Sequence, residues 1–103
     1  MKGATPTKAD KQLWDKLAQV GCIACLIDGV QNLHISIHHI AGRTVPGAHR
    51  LVLPLCAPHH QHDDTDPMGR IGLHPYKGQF EMKYGSQREL LAYALKRAQE
   101  ACA

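Results

Sequence analysis

Apolar residues recur at helical spacing near the start of the chain. The apolar face comprises Leu13, Trp14, Leu17 and Val20. Thr7-Lys-Ala-Asp10 fits a capping box, which predicts a helix that begins at about residue 8. Gly21 is a natural stop directly after the last apolar position.

A second capping box, Ser86-Gln-Arg-Glu89, predicts a helix near the end of the chain. The expected packing stripe of this helix is Leu90, Leu91, Ala94, Leu95 and Ala98. Before it, residues 79–84 predict a short helical turn that Gly85 stops.

Between these helices, the pattern changes to an alternation of apolar and polar residues. Leu33 to Ile40 alternates, which predicts a half-buried strand ending in His38-His39. Residues 42–47 predict a loop, and Leu51-Val52-Leu53 predicts a second strand closed by Pro54. These elements indicate one α+β domain over residues 1–103, with a loose start at 1–6 and a core at 20–95.

The region after the second predicted strand has less regular structure. Cys56-Ala-Pro58-His59-His60 predicts a turn that leads into a short helix. Residues 63–72 are polar and rich in Gly and Pro, and they predict a flexible loop.

Histidine is the unusual component of the composition. The chain has 103 residues and eight His, of which seven lie between His34 and His62 and the eighth is His74. A His tract beside paired Cys is typical of metal binding. The net charge of +3 permits a polyanionic partner without requiring one.

The cysteines indicate a structural zinc site. Cys22-x-x-Cys25 and Cys56-x-x-His59 are two knuckles, and a two-residue spacer lets both ligands of a knuckle reach one ion. Such a site has no open position for a substrate. The alternative is buried free thiols. Cys102 is interpreted as lying outside the site.

The sequence contains no apolar leader and no long apolar run. We therefore expect a protein of the reducing cytosol that does not associate with a membrane. In that compartment, Cys residues at these spacings are better explained as zinc ligands than as disulfides.

The remaining histidines suggest a second, catalytic centre. Phosphodiester hydrolysis needs a base for a water molecule and a divalent cation for the developing charge, and neutral imidazole suits both tasks. His38 and His39 leave a strand end in different directions, so that one can hold a metal and the other can activate water. His60 can face them from the short helix.

Other polar residues have competing interpretations. We expect His34 to be a surface or packing residue and His62 to face solvent. For His49, a functional and a structural role are equally supported, and the position of His74 outside any periodic element weakly favours a functional role. The acidic residues Asp63, Asp64 and Asp66 could bind a hard cation, but a solvated turn is preferred.

These motifs resemble a known nuclease family. His38-His39-Ile40 followed by Pro54-Leu55-Cys56-Ala-Pro-His59-His60 resembles the two halves of the HNH (His-Me finger) motif, and Cys22-x-x-Cys25 matches its zinc-knuckle versions. The longer pattern resembles the phage recombination-enhancement (Ref) nucleases over about residues 20–95. That pattern adds Gly42-Arg43, His49, Gly72-Leu73-His74, Phe80, Tyr84-Gly85 and Leu90-Leu91.

The resemblance implies a zinc-stapled ββα-metal core with flanking helices, and it assigns roles to residues. His39 would be the general base, and His38, His60 and His74 would bind a catalytic Mg²⁺ or Mn²⁺. Structural zinc would be held by Cys22, Cys25, Cys56 and His59. The motif usually has Asn at its middle position, but the single Asn here is Asn32, and His49 is the candidate replacement.

The expected activity is metal-dependent cutting of DNA in the cytoplasm of a bacterial host, on DNA coated by recombinase if the Ref resemblance extends that far. Arg43, Arg50 and Lys77 are the expected phosphate contacts. The main alternative is a non-catalytic zinc module that binds nucleic acid or protein. A hydrolase for small molecules ranks last because the short chain leaves little room for a deep pocket.

Overall fold

The chain folds into helices around one small antiparallel sheet. The computed structural model describes residues 4–101. Five helices are present among these residues: α1 (Lys8–Val20), α2 (Ile23–Ile27), α3 (Ala57–His60), α4 (Lys77–Tyr84) and α5 (Gln87–Ala101). The strands are β1 (Ser36–His39) and β2 (Val52–Leu55), and a single 3₁₀ turn lies at Ala48–Arg50. The α+β class is therefore confirmed.

Both predicted capping boxes form. The Thr7 hydroxyl accepts from the Asp10 N–H, and the Asp10 carboxylate accepts from the Thr7 N–H. Ser86 and Glu89 make the same reciprocal pair at the start of α5. Each box supplies partners for N–H groups that have none inside the helix.

The two long helices pack on each other and on β2, and this contact forms the core. Leu17 of α1, Leu53 of β2 and Leu90 of α5 are nearly inaccessible to solvent. The predicted stripe of α5 is right at four of its five positions. Leu95 is the exception, since it is exposed.

The first strand is shorter than the alternation predicts. Strand β1 begins at Ser36, which pairs with Leu55, the last residue of β2. Residues 33–35 have no strand beside them because the chain turns into α3 after Leu55. The backbone carbonyl of Asn32 instead accepts from the Cys22 N–H at 2.8 Å.

The second strand continues through Pro54, so the expectation that Pro54 closes it is wrong. Pro54 lies opposite Ile37 in a sheet that has two strands among the described residues. Each strand of such a pair has an unpaired edge, where a residue without an N–H is tolerated.

The segment between α3 and α4 has no helix or named strand, as expected of residues 63–72. Its end nevertheless pairs with the residues around the end of α3. The Leu73 N–H donates to the His59 carbonyl at 2.8 Å, and the His62 N–H donates to the His74 carbonyl at 2.8 Å. This pairing ties the loop to the helix that carries the predicted ligands.

Candidate metal centres

Four predicted zinc ligands meet in one buried cluster, which we call the thiol cluster: Cys22, Cys25, Cys56 and His59. The Nδ1 atom of His59 lies 3.4 Å from the sulfurs of Cys22 and Cys25, and 3.3 Å from that of Cys56. The sulfurs of Cys25 and Cys56 are 3.7 Å apart. All four side chains are buried.

The local structure around each knuckle explains this convergence. Cys22 caps the start of α2, and its sulfur accepts from the Cys25 N–H one turn later. Cys56 occupies the same position before α3, one turn ahead of His59. Both knuckles thus present two ligands from the first turn of a short helix, and contact between α2 and β2 brings the knuckles together.

The donor set fits zinc. Three sulfurs and one imidazole nitrogen form a closed four-ligand set that this ion prefers in structural sites. The hydrogen bond with Cys22 lowers the pKa of the Cys56 thiol to about 3, and His59 adds to this effect. Burial raises the pKa of the Cys25 thiol. Without a cation, therefore, these closely packed groups hold their protons unequally.

Groups around the thiol cluster orient its members. The Nε2–H of His59 donates to the Tyr84 hydroxyl at 3.1 Å, and that hydroxyl donates to Asp28 at 2.7 Å. Since the Nε2 atom of His59 carries the proton, Nδ1 presents a lone pair to the sulfurs. Asn32 and Arg70 donate N–H groups to the sulfurs of Cys25 and Cys56, at 3.7 and 3.8 Å.

Three further histidines form a second cluster, which we call the imidazole cluster: His38, His60 and His74. The Nδ1 atom of His38 lies 3.2 Å from the Nε2 atom of His60. The ring of His74 lies 5.5 Å from the rings of both. Unlike the thiol cluster, this cluster is open, since His38 is buried, His60 half-buried and His74 exposed.

The position of His74 depends on the backbone pairing after α3. The His74 N–H donates to the His60 carbonyl at 3.0 Å, which places the two residues side by side. The chain can come this close because residue 72 is glycine. A Cβ atom on Gly72 would overlap the backbone of His62.

His39 stands apart from the imidazole cluster in a chain of hydrogen bonds. Its Nε2 atom lies 3.0 Å from the Nδ1 atom of His49, and the Nε2 atom of His49 contacts the carbonyl oxygen of Ala4. A carbonyl only accepts, so the Nε2 atom of neutral His49 carries the proton and its Nδ1 accepts. His39 therefore donates from Nε2, and its own Nδ1 keeps a free lone pair.

Burial favours the neutral form of three of these histidines. It is the largest cause of a lowered pKa at His38, His39 and His60. The positive charge of Arg43 lowers the pKa of His39 further. An unprotonated imidazole is the form that binds a metal or accepts a proton.

The three cationic residues expected to contact phosphate are exposed. Arg43 and Arg50 line, with His49, a cavity of about 310 Å³ beside the N-terminal segment. The Nε atom of Arg50 also lies 3.5 Å from a carboxylate oxygen of Asp10. Lys77 begins α4, three residues after His74.

The remaining candidates lie outside both clusters. His34 is exposed, as expected. His62 is not the solvent-facing residue expected, since it accepts from the Gly72 N–H and lies 3.0 Å from Asp64. The Asp66 carboxylate is not simply solvated, since it accepts a hydrogen bond from the Arg70 Nε–H at 2.8 Å. Cys102 lies outside the described residues.

Sequence reasoning missed the residues that support the ligands. Gln87 was seen only as part of a capping box, but its side-chain oxygen lies 2.9 Å from the Nε2 atom of His38. In the sequence, Asp28 followed by Gly29 indicates only a turn. No local pattern indicates these contacts, because each joins residues at least 49 positions apart in the sequence.

None of the helices within residues 4–101 is long and apolar enough to cross a membrane. A family model described as "Recombination enhancement, RecA-dependent nuclease" matches residues 6–99. That span covers almost the whole chain and includes both the thiol cluster and the imidazole cluster. The chain therefore belongs to the family of RecA-dependent nucleases of recombination enhancement.

Proposed function

We propose that this protein is a metal-dependent endonuclease of the HNH type, which hydrolyses phosphodiester bonds in DNA coated by recombinase. The observation that carries the proposal is the juxtaposition, at adjacent positions of β1, of His38 in an open imidazole cluster and His39 with a free Nδ1. Family membership supports nuclease activity and action together with RecA.

The two clusters have different tasks in this proposal. The thiol cluster would hold structural zinc, because its ligand set is complete and buried. The imidazole cluster would hold a divalent cation, and its three nitrogen donors fit Mn²⁺ better than Mg²⁺, which prefers oxygen ligands. Exposure of His74 leaves room for a phosphate. When bound, that ion would stabilise negative charge on the phosphate and on the leaving oxygen.

His39 is the general base in this mechanism. Its Nδ1 takes a proton from a water molecule as the water oxygen bonds to phosphorus, and the bond from phosphorus to the leaving sugar oxygen breaks. The leaving oxygen then takes a proton from solvent. The Nδ1 atom of His49 accepts a hydrogen bond from the Nε2–H of His39 and so holds the ring, and this hydrogen bond strengthens when His39 becomes positively charged. His49 thereby takes the middle role that Asn usually has.

Arg43, Arg50 and Lys77 would hold the DNA backbone on either side of the reacting phosphate. Arg43 and Arg50 line a cavity together with His49, and Lys77 begins α4 three residues after His74. Each substitution by Ala should weaken DNA binding at all sequences alike and should reduce its dependence on salt. If all three variants bind DNA with the affinity and the salt dependence of the unsubstituted protein, these three residues do not contact DNA.

The proposal is tested by cutting of plasmid DNA. Duplex plasmid alone, single-stranded DNA alone and duplex plasmid joined to a RecA filament are each incubated with Mg²⁺ or Mn²⁺. We expect cutting in the filament sample. His39→Ala should lower its rate by about 10²- to 10⁴-fold, the usual contribution of a general base.

The matched control is His34→Ala, which removes an exposed imidazole just before the same strand. This variant should cut at the rate of the unsubstituted protein. If His39→Ala cuts equally fast, His39 is not the base. If DNA stays intact in every sample, the protein is not this kind of nuclease.

Metal counting separates the nuclease from a non-catalytic zinc module. The nuclease should hold one tightly bound zinc and bind a second divalent cation reversibly. A non-catalytic zinc module should bind only the first of these. Titration of zinc-loaded protein with Mn²⁺ measures the difference. Absence of a second binding event would favour the module.

A further inference from the structure

Gln87 contacts a histidine of the imidazole cluster from outside. Its side-chain oxygen lies 2.9 Å from the Nε2 atom of His38, while the Nδ1 atom of His38 faces His60 at 3.2 Å. Both nitrogens of the His38 ring are thus engaged. The two contacts together decide which of them carries the proton.

We propose that Gln87 is a positioning residue that fixes His38 in the tautomer with its proton on Nε2, so that the Nδ1 lone pair is directed into the imidazole cluster. This inference rests on the proposed function, which assigns a cation to that cluster. In this role Gln87 supports the imidazole cluster without being a metal ligand or a base.

The surroundings of Gln87 make this contact persistent. His38 and Gln87 are only 7% and 8% exposed, so water competes little for the hydrogen bond between them. Gln87 is the first residue of α5, directly after Ser86, and the capping box of Ser86 and Glu89 fixes the backbone there. The amide is consequently held at the start of a rigid helix.

The chemistry of the cluster selects the oxygen of Gln87 as the partner. If the amide N–H₂ faced His38, the Nε2 atom of His38 would have to accept, and its proton would sit on Nδ1 facing His60. That tautomer cannot offer Nδ1 to a cation. With the amide oxygen as acceptor, Nδ1 is free of hydrogen, and outer-shell acceptors of this kind fix the tautomer of metal-binding histidines.

Two substitutions separate an acceptor from a packing residue. Gln87→Glu keeps an acceptor and removes the possibility of donating, whereas Gln87→Met keeps the length and removes both. Gln99→Met is the matched control, because Gln99 is an exposed position of the same helix. Zinc content and thermal midpoint are measured for all variants to show that the fold is intact.

The first readout is Mn²⁺ affinity of the zinc-loaded protein. We expect Gln87→Met to bind Mn²⁺ about 10- to 100-fold more weakly, as is usual when an outer-shell partner is lost. Gln87→Glu and Gln99→Met should bind at least as well as the unsubstituted protein. The inference is overturned if Gln87→Met binds Mn²⁺ as tightly as the unsubstituted protein. It is also overturned if Gln87→Glu binds Mn²⁺ no more tightly than Gln87→Met.

The second readout is the tautomer of His38, seen in long-range ¹H–¹⁵N spectra of ring-labelled protein before Mn²⁺ is added. The unsubstituted protein should show the proton on Nε2, and Gln87→Met should lose this preference. A proton on Nδ1 in the unsubstituted protein would refute the role of Gln87. If the unsubstituted protein binds no Mn²⁺, the proposed function fails. The tautomer of His38 is measured without Mn²⁺, so it still tests the role of Gln87.

Discussion

What each histidine in this chain can do depends on which of its ring nitrogens carries the proton. The Nδ1 atom is free of hydrogen in His59, where Tyr84 accepts from Nε2, and in His39, where His49 does so. In each case the proton's location follows from a partner, Tyr84 or His49, that is not one of the candidate metal ligands. At this scale, the supporting residue decides what an imidazole can do.

The lowered pKa of His39 gives a prediction for pH dependence. Burial, Arg43, His49 and His38 all act in one direction and place this pKa below its ordinary value of 6.5. The base works only when unprotonated, so cutting should persist as pH falls to 6.5 and decline below it. The measurement is kcat/KM on filament-bound DNA from pH 5 to 8 at saturating metal. A rate that is constant across this range would contradict the prediction.

At the scale of elements, the pairing of residues 59–62 with 72–74 brings His74 to the imidazole cluster. This pairing requires close approach of two backbones at Gly72. Gly72→Ala should push the two segments apart and lower both the cutting rate and Mn²⁺ affinity by at least about tenfold, which is 1.4 kcal/mol. Zinc should remain bound.

The matched control for Gly72 is Gly78→Ala, since Gly78 lies in α4 with open space around it. Alanine is favoured over glycine inside a helix, by roughly 0.5–1 kcal/mol. We therefore expect this variant to cut normally and to be slightly more stable. Normal cutting by Gly72→Ala as well would show that the pairing does not position His74.

Elements with strong local signals were predicted well from the sequence. The capping boxes at Thr7 and Ser86 locate the starts of α1 and α5, because a cap acts through residues three positions away. Strand β1 was predicted too long, because its start is set by where β2 ends. The two-residue spacing of each knuckle indicated the thiol cluster, whereas the contact of Gln87 with His38 depends on packing and has no local signal.

At the scale of the whole molecule, the thiol cluster links the segments on which both centres depend. It joins α2, the end of β2 and the start of α3, and through Tyr84 it reaches α4. His38 and His60 lie on β1 and α3, directly beside these segments. Under the proposed function, the relative position of His38 and His60 therefore depends on a zinc ion that takes no part in the reaction.

Metal removal should consequently occur in two distinguishable steps. A mild chelator should abolish cutting by removing the weakly held cation and leave the thermal midpoint within a few degrees. Removal of zinc by a strong chelator should lower the midpoint by at least about 10 °C, since each kcal/mol is worth about 4–8 °C in a domain of this size. The midpoint is followed by circular dichroism, with zinc release measured in parallel. An unchanged midpoint after complete zinc loss would show that the fold does not need the ion.

The chain contains one tryptophan, and its position gives the protein an internal optical reporter. The ring of Trp14 meets those of His39 and His49 edge-on, with centroids 5.7 and 5.6 Å apart, and its indole N–H donates to the His49 carbonyl. A protonated imidazole quenches indole fluorescence, whereas a neutral one does so far less. Emission should therefore dim as His39 gains a proton, so that the charge state of the proposed base can be followed in unlabelled protein while DNA is being cut.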